Sequence, residues 1–420
     1  MDMKKTMATL MASEPVKKAL AFLEKDAEYT LKQQLELVQV PAFTGQEEER
    51  AKYFQKLIEA EGYKTELDEV WNIFTTIPGT GDGPTVLISA HLDTVFPPET
   101  PLNIRYEGSK IYCPGISDDT RGLTEMLTIL RAFREVGIRP IGDIIIGGNV
   151  GEEGLGNSRG MRHIFGKPNN IDGFISVDGA CKALIIGIAG ILRYKVTFRG
   201  RGGHAMGDHG MPNPIYAMGQ AISGISNLPE AFAAPWTDSV SGEPWTTFNV
   251  GLINGGQSVN TIAEECSMLI EIRSVKQDKL DEVTQRIMAI INQAVNNENR
   301  RRENKPELSV SVEIKELNKK PAGWQPTESP MVQAGFTAYE ALNQTLDYPT
   351  VGTGDSCIPL SMGIPAVVTG AGGTSANFHK LNEWFDPTDA HLGAFKNLLY
   401  LLALVGLDGV SAPTLPKRNK

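Results

Sequence analysis

Apolar residues recur along this chain with two different periods, and the places where the period changes divide it. From Val16 onward, Leu20, Phe22, Leu23, Leu31, Leu35 and Leu37 keep roughly helical spacing, with Ser13 placed to cap the run and Pro15 in its first turn. A second helix is expected where Thr44 and Glu47 have the spacing of a capping box, Phe54, Leu57 and Ile58 follow, and Gly62 stops the run. The period then shortens. Residues 85–90, 143–150 and 174–177 are short apolar, β-branched runs bounded by Gly, Pro or Asp, the pattern of strands buried in a largely parallel sheet. Between the first two, residues 120–136 predict a helix ended by Gly137.

The texture changes again from Gly190 to about Pro321. A strand (191–198), a helix (214–228), two strands (245–252 and 267–273), a long polar helix (278–299) and a last strand (308–314) follow one another, a β-α-β-β-α-β order of the ferredoxin-like kind. The apolar strand 366–369 and the helix 390–405 then return to the earlier style. The expected architecture is therefore α/β. A catalytic domain of residues 1–189 and 321–420, with a mostly parallel sheet flanked by helices, is interrupted by a smaller α+β domain of residues 190–320. The tail from Pro413 is expected to fray.

Composition narrows the class. At 420 residues the chain has room for two or three domains of ~150 residues and for a buried active site. Its hydrophobic fraction of 41% and charged fraction of 21% are those of an ordinary globular protein. Forty basic against fifty acidic residues leave a formal charge of −10, which opposes a nucleic-acid or anionic membrane partner; the one basic cluster, 300–305, reads as a solvated helix end. No stretch resembles a secretory leader or a membrane span, so a cytoplasmic location is the expectation. Cys113, Cys181, Cys266 and Cys357 form no C-x-x-C pair, so neither a thiolate zinc site nor a redox dithiol is indicated.

In open α/β sheets ligands bind beyond the carboxyl ends of the strands, so the polar residues after each apolar run carry the chemical interest. The first run ends in His91-Leu92-Asp93-Thr94, and Gly115 to Asp119 opens the following helix. Glu152-Glu153 follows the next strand, Asp178 the third, and His379 the loop Gly370 to Gly373. Taken singly, an acidic pair is more often a helix-start or solvated pair. Gathered at one sheet edge, these acids and two histidines would be prohibitively negative without cations. Two divalent ions supply that charge, and imidazole with carboxylate but no thiolate suits zinc, with cobalt or manganese also accommodated.

Over nearly the whole chain these motifs resemble the di-zinc metallopeptidase family of peptidase T (tripeptide aminopeptidase), glutamate carboxypeptidase, aminoacylase, acetylornithine deacetylase and succinyl-diaminopimelate desuccinylase. The family's H-x-D-T, G-x-x-D, E-E, late acid and late histidine stand here at His91 to Thr94, Gly115 to Asp118, Glu152-Glu153, Asp178 and His379. The resemblance implies that His91 and Asp178 hold one metal, Glu153 and His379 the other, and that Asp118 bridges them. It implies a metal-bridging hydroxide as nucleophile, Glu152 as general base, and Asp93 accepting the second N–H of His91. Arg199 to Ala205 resembles the G-x-x-x-H-A segment, so His204 would serve the partner subunit's oxyanion in a homodimer formed through the inserted domain. Asn260 and Arg273 correspond to substrate-binding positions, although Glu271 stands where the family has Asp; a structural ion pair is the alternative for Arg273. The segment around Asp355-Ser356 departs from the family's S-T-D-A loop, which leaves Asp355 without an assigned role.

The implied activity is hydrolysis of an amide bond in a small peptide or N-acyl amino acid. Asp178, where the carboxypeptidases and deacylases of the family tend to have Glu, favours a tripeptidase-like aminopeptidase nearest in texture to peptidase T. A carboxypeptidase or N-acyl amino acid deacylase is the alternative. A non-catalytic metal- or peptide-binding protein would have lost a ligand or the base, and none is missing. The glycine runs match neither a dinucleotide fingerprint nor a P-loop.

Overall fold

Four strands, Ile144–Asn149, Thr85–His91, Ile171–Val177 and Ala366–Thr369, lie side by side in parallel at the centre of a seven-stranded sheet. Antiparallel strands close both flanks: Ile73–Ile77 and Glu66–Leu67 beyond Ile144–Asn149, and Leu184–Ile185 beyond Ala366–Thr369. Such strands must bury both faces, and alternate residues do so. Val86, Ile88 and Ala90 join the core formed with the helices Glu14–Leu37, Thr120–Val136 and His391–Val405, while Leu87 turns to Phe165, Phe174, Cys357 and Ile358 on the other side. The structure, a computed structural model, describes residues 2–232, 246–300, 306–346 and 351–418. It divides into two units, Met1–Ile188 with Trp324–Lys420, and Ala189–Gly323.

The second unit is a four-stranded antiparallel sheet in the order Thr246–Gly255, Glu265–Ser274, Gly190–Arg199, Ser311–Lys320. The helices Pro214–Ser226 and Gln277–Asn299 bring Ala217, Ala221, Ile225, Leu280, Val283 and Ile287 into one core with Val196, Phe198, Ile270 and Ile272 of the sheet. The α/β class with an inserted α+β unit is borne out. Among the described residues no helix is long and apolar enough to cross a membrane.

Several local expectations are corrected. Thr44 and Glu47 form no capping box: the helix is Glu48–Ala60, Glu47 makes no side-chain cap bond, and its carboxylate instead accepts the Gly45 N–H at 2.9 Å and pairs with Arg159. The helix expected after Ser13 runs Glu14–Leu37, but another, Met3–Ala12, precedes it unannounced, and the Ser13 hydroxyl donates back to the Leu10 carbonyl instead of capping the second. The last strand of the inserted unit runs Ser311–Lys320, beyond the apolar stretch that predicts it, because an edge strand tolerates a polar outer face. Of the strand expected from residue 245, Trp245 lies outside the described residues, as do 301–305 of the basic cluster.

Nor does the tail fray from Pro413 to Arg418, the last of the described residues. The Thr414 hydroxyl donates to the Ala403 carbonyl at 2.7 Å, the Arg418 N–H donates to Asp172 at 2.8 Å, and Leu415, 4% exposed, enters the main core. One leucine in a polar tail has no periodicity to announce it. Removing its buried side chain in Leu415→Ala is expected to destabilise the protein by about 2–5 kcal/mol. Urea unfolding monitored by circular dichroism measures this, and a change within about 0.5 kcal/mol would mean that the tail is not packed in solution.

Candidate metal centre

The parallel strands end together, and their next residues carry the acids and the first histidine. His91 is the last residue of its strand; Asp178 directly follows Ile171–Val177, with its N–H on the Thr369 carbonyl at 2.9 Å; Glu152 and Glu153 follow Ile144–Asn149 after two residues. Asp118 stands just before the helix Thr120–Val136, which Asp119 caps by accepting the Gly122 N–H at 3.1 Å. His379 comes from the loop after Thr374–Ala376 and holds a left-handed φ of 62°, a conformation costly for a residue with a side chain.

These groups converge on Asp118. Its Oδ1 lies 3.0 Å from His91 Nε2, which is also 3.8 Å from Asp178 Oδ1. Its Oδ2 lies 3.1 Å from His379 Nε2, which in turn is 2.7 Å from Glu153 Oε1. One carboxylate thus presents an oxygen to each of two histidine–carboxylate clusters. His91, Asp118 and Glu153 have ligand atoms within 4.8 Å of one another, as have His91, Asp119 and Asp178.

The arrangement is electrostatically incomplete without cations. Burial pushes the Glu153 carboxyl up to about 8 and raises Asp178 as well. Burial opposes charge on His91, yet the carboxylates of Asp118, Asp178 and Asp93 outweigh it and raise the imidazole well above its usual value. Asp118 and Glu153 raise His379 to about 10. His91 Nδ1 is 2.9 Å from the main-chain carbonyl of Asp93, which can only accept, so the ring proton sits there. In the neutral ring Nε2 then turns a lone pair toward a carboxylate oxygen 3.0 Å away, an acceptor facing an acceptor. A second ring proton on Nε2, which the raised value of His91 supplies in the metal-free protein, or a divalent cation between the two atoms resolves the conflict, and the imidazole and carboxylate donors fit zinc-like ions.

Asp93 acts differently from the expectation. Its carboxylate is 3.7 Å from His91 Nδ1 and accepts instead from the backbone N–H groups of Glu152 and Glu153, each at 3.0 Å, and from the Thr44 hydroxyl at 2.9 Å. It thereby holds the turn on which both glutamates stand. Two further buried acids, unmarked by any motif, do comparable work. Asp119 accepts the N–H groups of His91 at 3.0 Å and Gly179 at 3.2 Å. Glu383 accepts three from residues 115–118. Asp119 was visible only as the second half of an acidic pair, and Glu383 had no signal beyond lying four residues after His379. Asp355, buried and bonded by Asn149 Nδ2, braces the strand end through Asn149, which accepts from the Ser89 hydroxyl at 2.7 Å.

In the inserted unit His204 is exposed, on a short strand paired with Thr261–Ile262. Its Nδ1 accepts the N–H groups of Met206 and Gly207 at 3.3 and 3.2 Å, so Nε2 carries the proton and is the donor. The Asn260 carbonyl accepts the Ala205 N–H at 3.0 Å, which brings Asn260 beside the His204 loop. Arg273 donates through Nε to Glu271 at 2.7 Å, and Glu271 also holds Arg193 at 2.7 Å, so the ion-pair alternative for Arg273 is present.

The peptidase dimerisation domain profile matches residues 186–299, and that of peptidase family M28 matches residues 72–183. Carboxypeptidase G2 of a Pseudomonas species is 31% identical over 140 residues, 32% of this chain and 33% of that protein. Acetylornithine deacetylase of Myxococcus xanthus is 24% identical over 274 residues, 59% of this chain and 67% of that protein. Among solved structures, a Staphylococcus aureus tripeptidase (21% identity, TM-score 0.73) and the aminopeptidase PepT of Bacillus cereus (20%, 0.70) each match 89% of this chain and 97% and 98% of their own. A dinuclear metal-binding peptidase of the M20 family from Bacillus subtilis matches 91% of this chain and 99% of its own (16%, 0.66). The resemblance read from the motifs is thus borne out: the matching domains, relatives and structures are those of peptidases and related amide hydrolases, and the match spans about a third of carboxypeptidase G2 and two thirds of the deacetylase.

The raised values set a pH dependence for the metal-free protein. Below about 6.5 protonated His379 contributes its full stabilisation, which is lost as pH rises through about 10; the burial of the Glu153 carboxyl costs stability from about 4.5 upward, where the unfolded chain ionises first, and the loss is complete above about 8. Chelated protein should therefore melt at a lower temperature near pH ~9 than near pH ~6, and zinc should restore the loss. Calorimetry with and without zinc checks this; an unchanged melting temperature across that range would contradict the geometry of the cluster.

Proposed function

We propose that the protein is a di-metal amide hydrolase acting on small peptides, a tripeptidase-like aminopeptidase. The observation that carries the reading is Asp118, with one oxygen toward His91 and the other toward His379. His91 and Asp178 would hold one ion, Glu153 and His379 the other, and Asp118 would bridge them, with zinc favoured and cobalt or manganese possible. Such ions lower the pKa of a water and polarise a substrate carbonyl. Glu152, on the turn clamped by Asp93, takes the proton of the attacking water and returns it to the leaving amine. The carbonyl oxygen gains negative charge in that step, and the Nε2–H of His204, from the partner subunit of a homodimer, donates to it. Asn260 and Arg273 contact the rest of the substrate. In this reading residues 1–189 and 321–420 form the catalytic domain, and 190–320 the dimerisation and lid domain.

Support for peptides comes from Asp178 and from the tripeptidase and PepT structures that share the fold. The curated relatives favour a second reading, a carboxypeptidase or an N-acyl amino acid deacylase. Comparing a tripeptide, its N-acetylated form and an N-acetyl amino acid under one metal condition decides between them. The free tripeptide is expected to be cleaved fastest; preference for the blocked compounds would install the second reading and leave the hydrolase standing. Full turnover in protein shown by elemental analysis to be metal-free would reject both.

Two variants test the roles. Glu152→Ala should keep both metals while losing roughly 10²–10⁴-fold in rate; metal loss with recovery at high zinc would exchange the roles of Glu152 and Glu153. Mixing inactive His204→Ala with inactive Glu152→Ala subunits should regenerate activity. No recovery in verified heterodimers would remove His204 from the partner's site.

A further inference from the structure

Glu383 lies outside the motifs read in the sequence, is fully buried, and has both carboxylate oxygens turned to main chain. Oε1 accepts the N–H groups of Ser117 at 2.8 Å and Asp118 at 3.0 Å, and Oε2 accepts that of Gly115 at 2.7 Å. Its position explains the pattern. The strand Trp384–Asp386 pairs with Lys110–Tyr112, and the Cys113 N–H continues that ladder onto the Glu383 carbonyl at 3.1 Å. At Gly115, with φ 74° and a Cβ position only 3.0 Å from Thr94 Cγ2, the chain turns away and backbone pairing can go no further. The Glu383 side chain takes over the next three bonds.

The consequence is geometric. Glu383 stands four residues after His379 and holds Asp118 by its own backbone N–H, so it ties together the two loops whose side chains must meet at 3.1 Å. We propose that Glu383 is a positioning residue for the metal centre, fixing the Asp118 loop against the His379 loop without itself ligating. This rests on the metal-centre reading above and goes beyond its ligand set. A group that orients a ligand in this way is typically worth 10- to 100-fold in metal affinity.

Glu383→Gln is the direct test. Whichever way its amide lies, an NH₂ faces at least one of the three N–H groups, donor against donor, while volume and burial are kept. Chelated parent and variant are titrated with zinc against a competing chelator, and with cobalt while its visible spectrum is recorded; circular dichroism reports folding. We expect at least one of two affinities to fall roughly 10–100-fold, with a changed cobalt spectrum, in a folded variant. Affinities and spectrum unchanged from the parent would overturn the proposal, since a role in stability alone would lower the melting temperature and nothing else. Glu383→Asp, which keeps the charge but shortens the reach, serves as a second variant read in the same way. Hydrogen exchange on the unaltered protein needs no variant: the Ser117 and Asp118 amides should exchange slowly, and fast exchange at both would overturn the clamp. A parent that takes up no divalent cation would defeat the metal-centre reading itself, and this inference with it.

Discussion

Negative charge crowded into a buried sheet edge is the constraint around which this protein is organised. Asp93, Asp119, Glu152, Glu153 and Glu383 are all buried within the loops that meet there, with Asp118 among them. Isolated burial of even one carboxylate costs several kcal/mol. The structure answers with two devices. The supporting acids Asp93, Asp119 and Glu383 are given backbone N–H groups, eight bonds in all. Acids that face the centre, Asp118, Glu153 and Asp178, are given two histidines and the need for cations.

The same bonds that neutralise the supporting carboxylates also set the positions of the others. Asp93 grips the amides of Glu152 and Glu153, Asp119 those of His91 and Gly179, and Glu383 those leading to Asp118. Main-chain atoms move less freely than side chains, so a side chain held through its own or its neighbour's amide keeps its place whether or not an ion is bound. The parallel sheet beneath supplies rigidity: its central strands are packed on both faces and stop in register at the site.

The relatives are named for different amide bonds, as a metal-assisted hydrolysis allows. Those similar in sequence include a carboxypeptidase and a deacetylase, and those that share the fold across nearly their whole length include a tripeptidase and an aminopeptidase. A pair of divalent ions with a carboxylate base can open any amide bond held correctly in front of it. Which amide is presented depends on groups that touch the remainder of the substrate, and these lie outside the ligand set.

What could be read from sequence alone was whatever leaves a local mark. Apolar runs marked the central strands, because a strand buried on both faces needs consecutive apolar residues, and the next polar residues were then forced to the sheet edge; His91, Glu152, Glu153 and Asp178 all stand there. The inserted unit showed itself by its change of period and by the order of its elements. Tertiary structure decided the rest. Thr44 looked like a helix cap and became a support for Asp93, 49 residues on; Glu383, which no pattern singled out, became a clamp on Asp118, 265 residues back; Leu415 looked like part of a loose tail and entered the core. Each depends on a hydrogen bond or a contact between segments far apart in the chain, whose meeting only the packed sheet and helices determine, so no spacing in the sequence could have announced it.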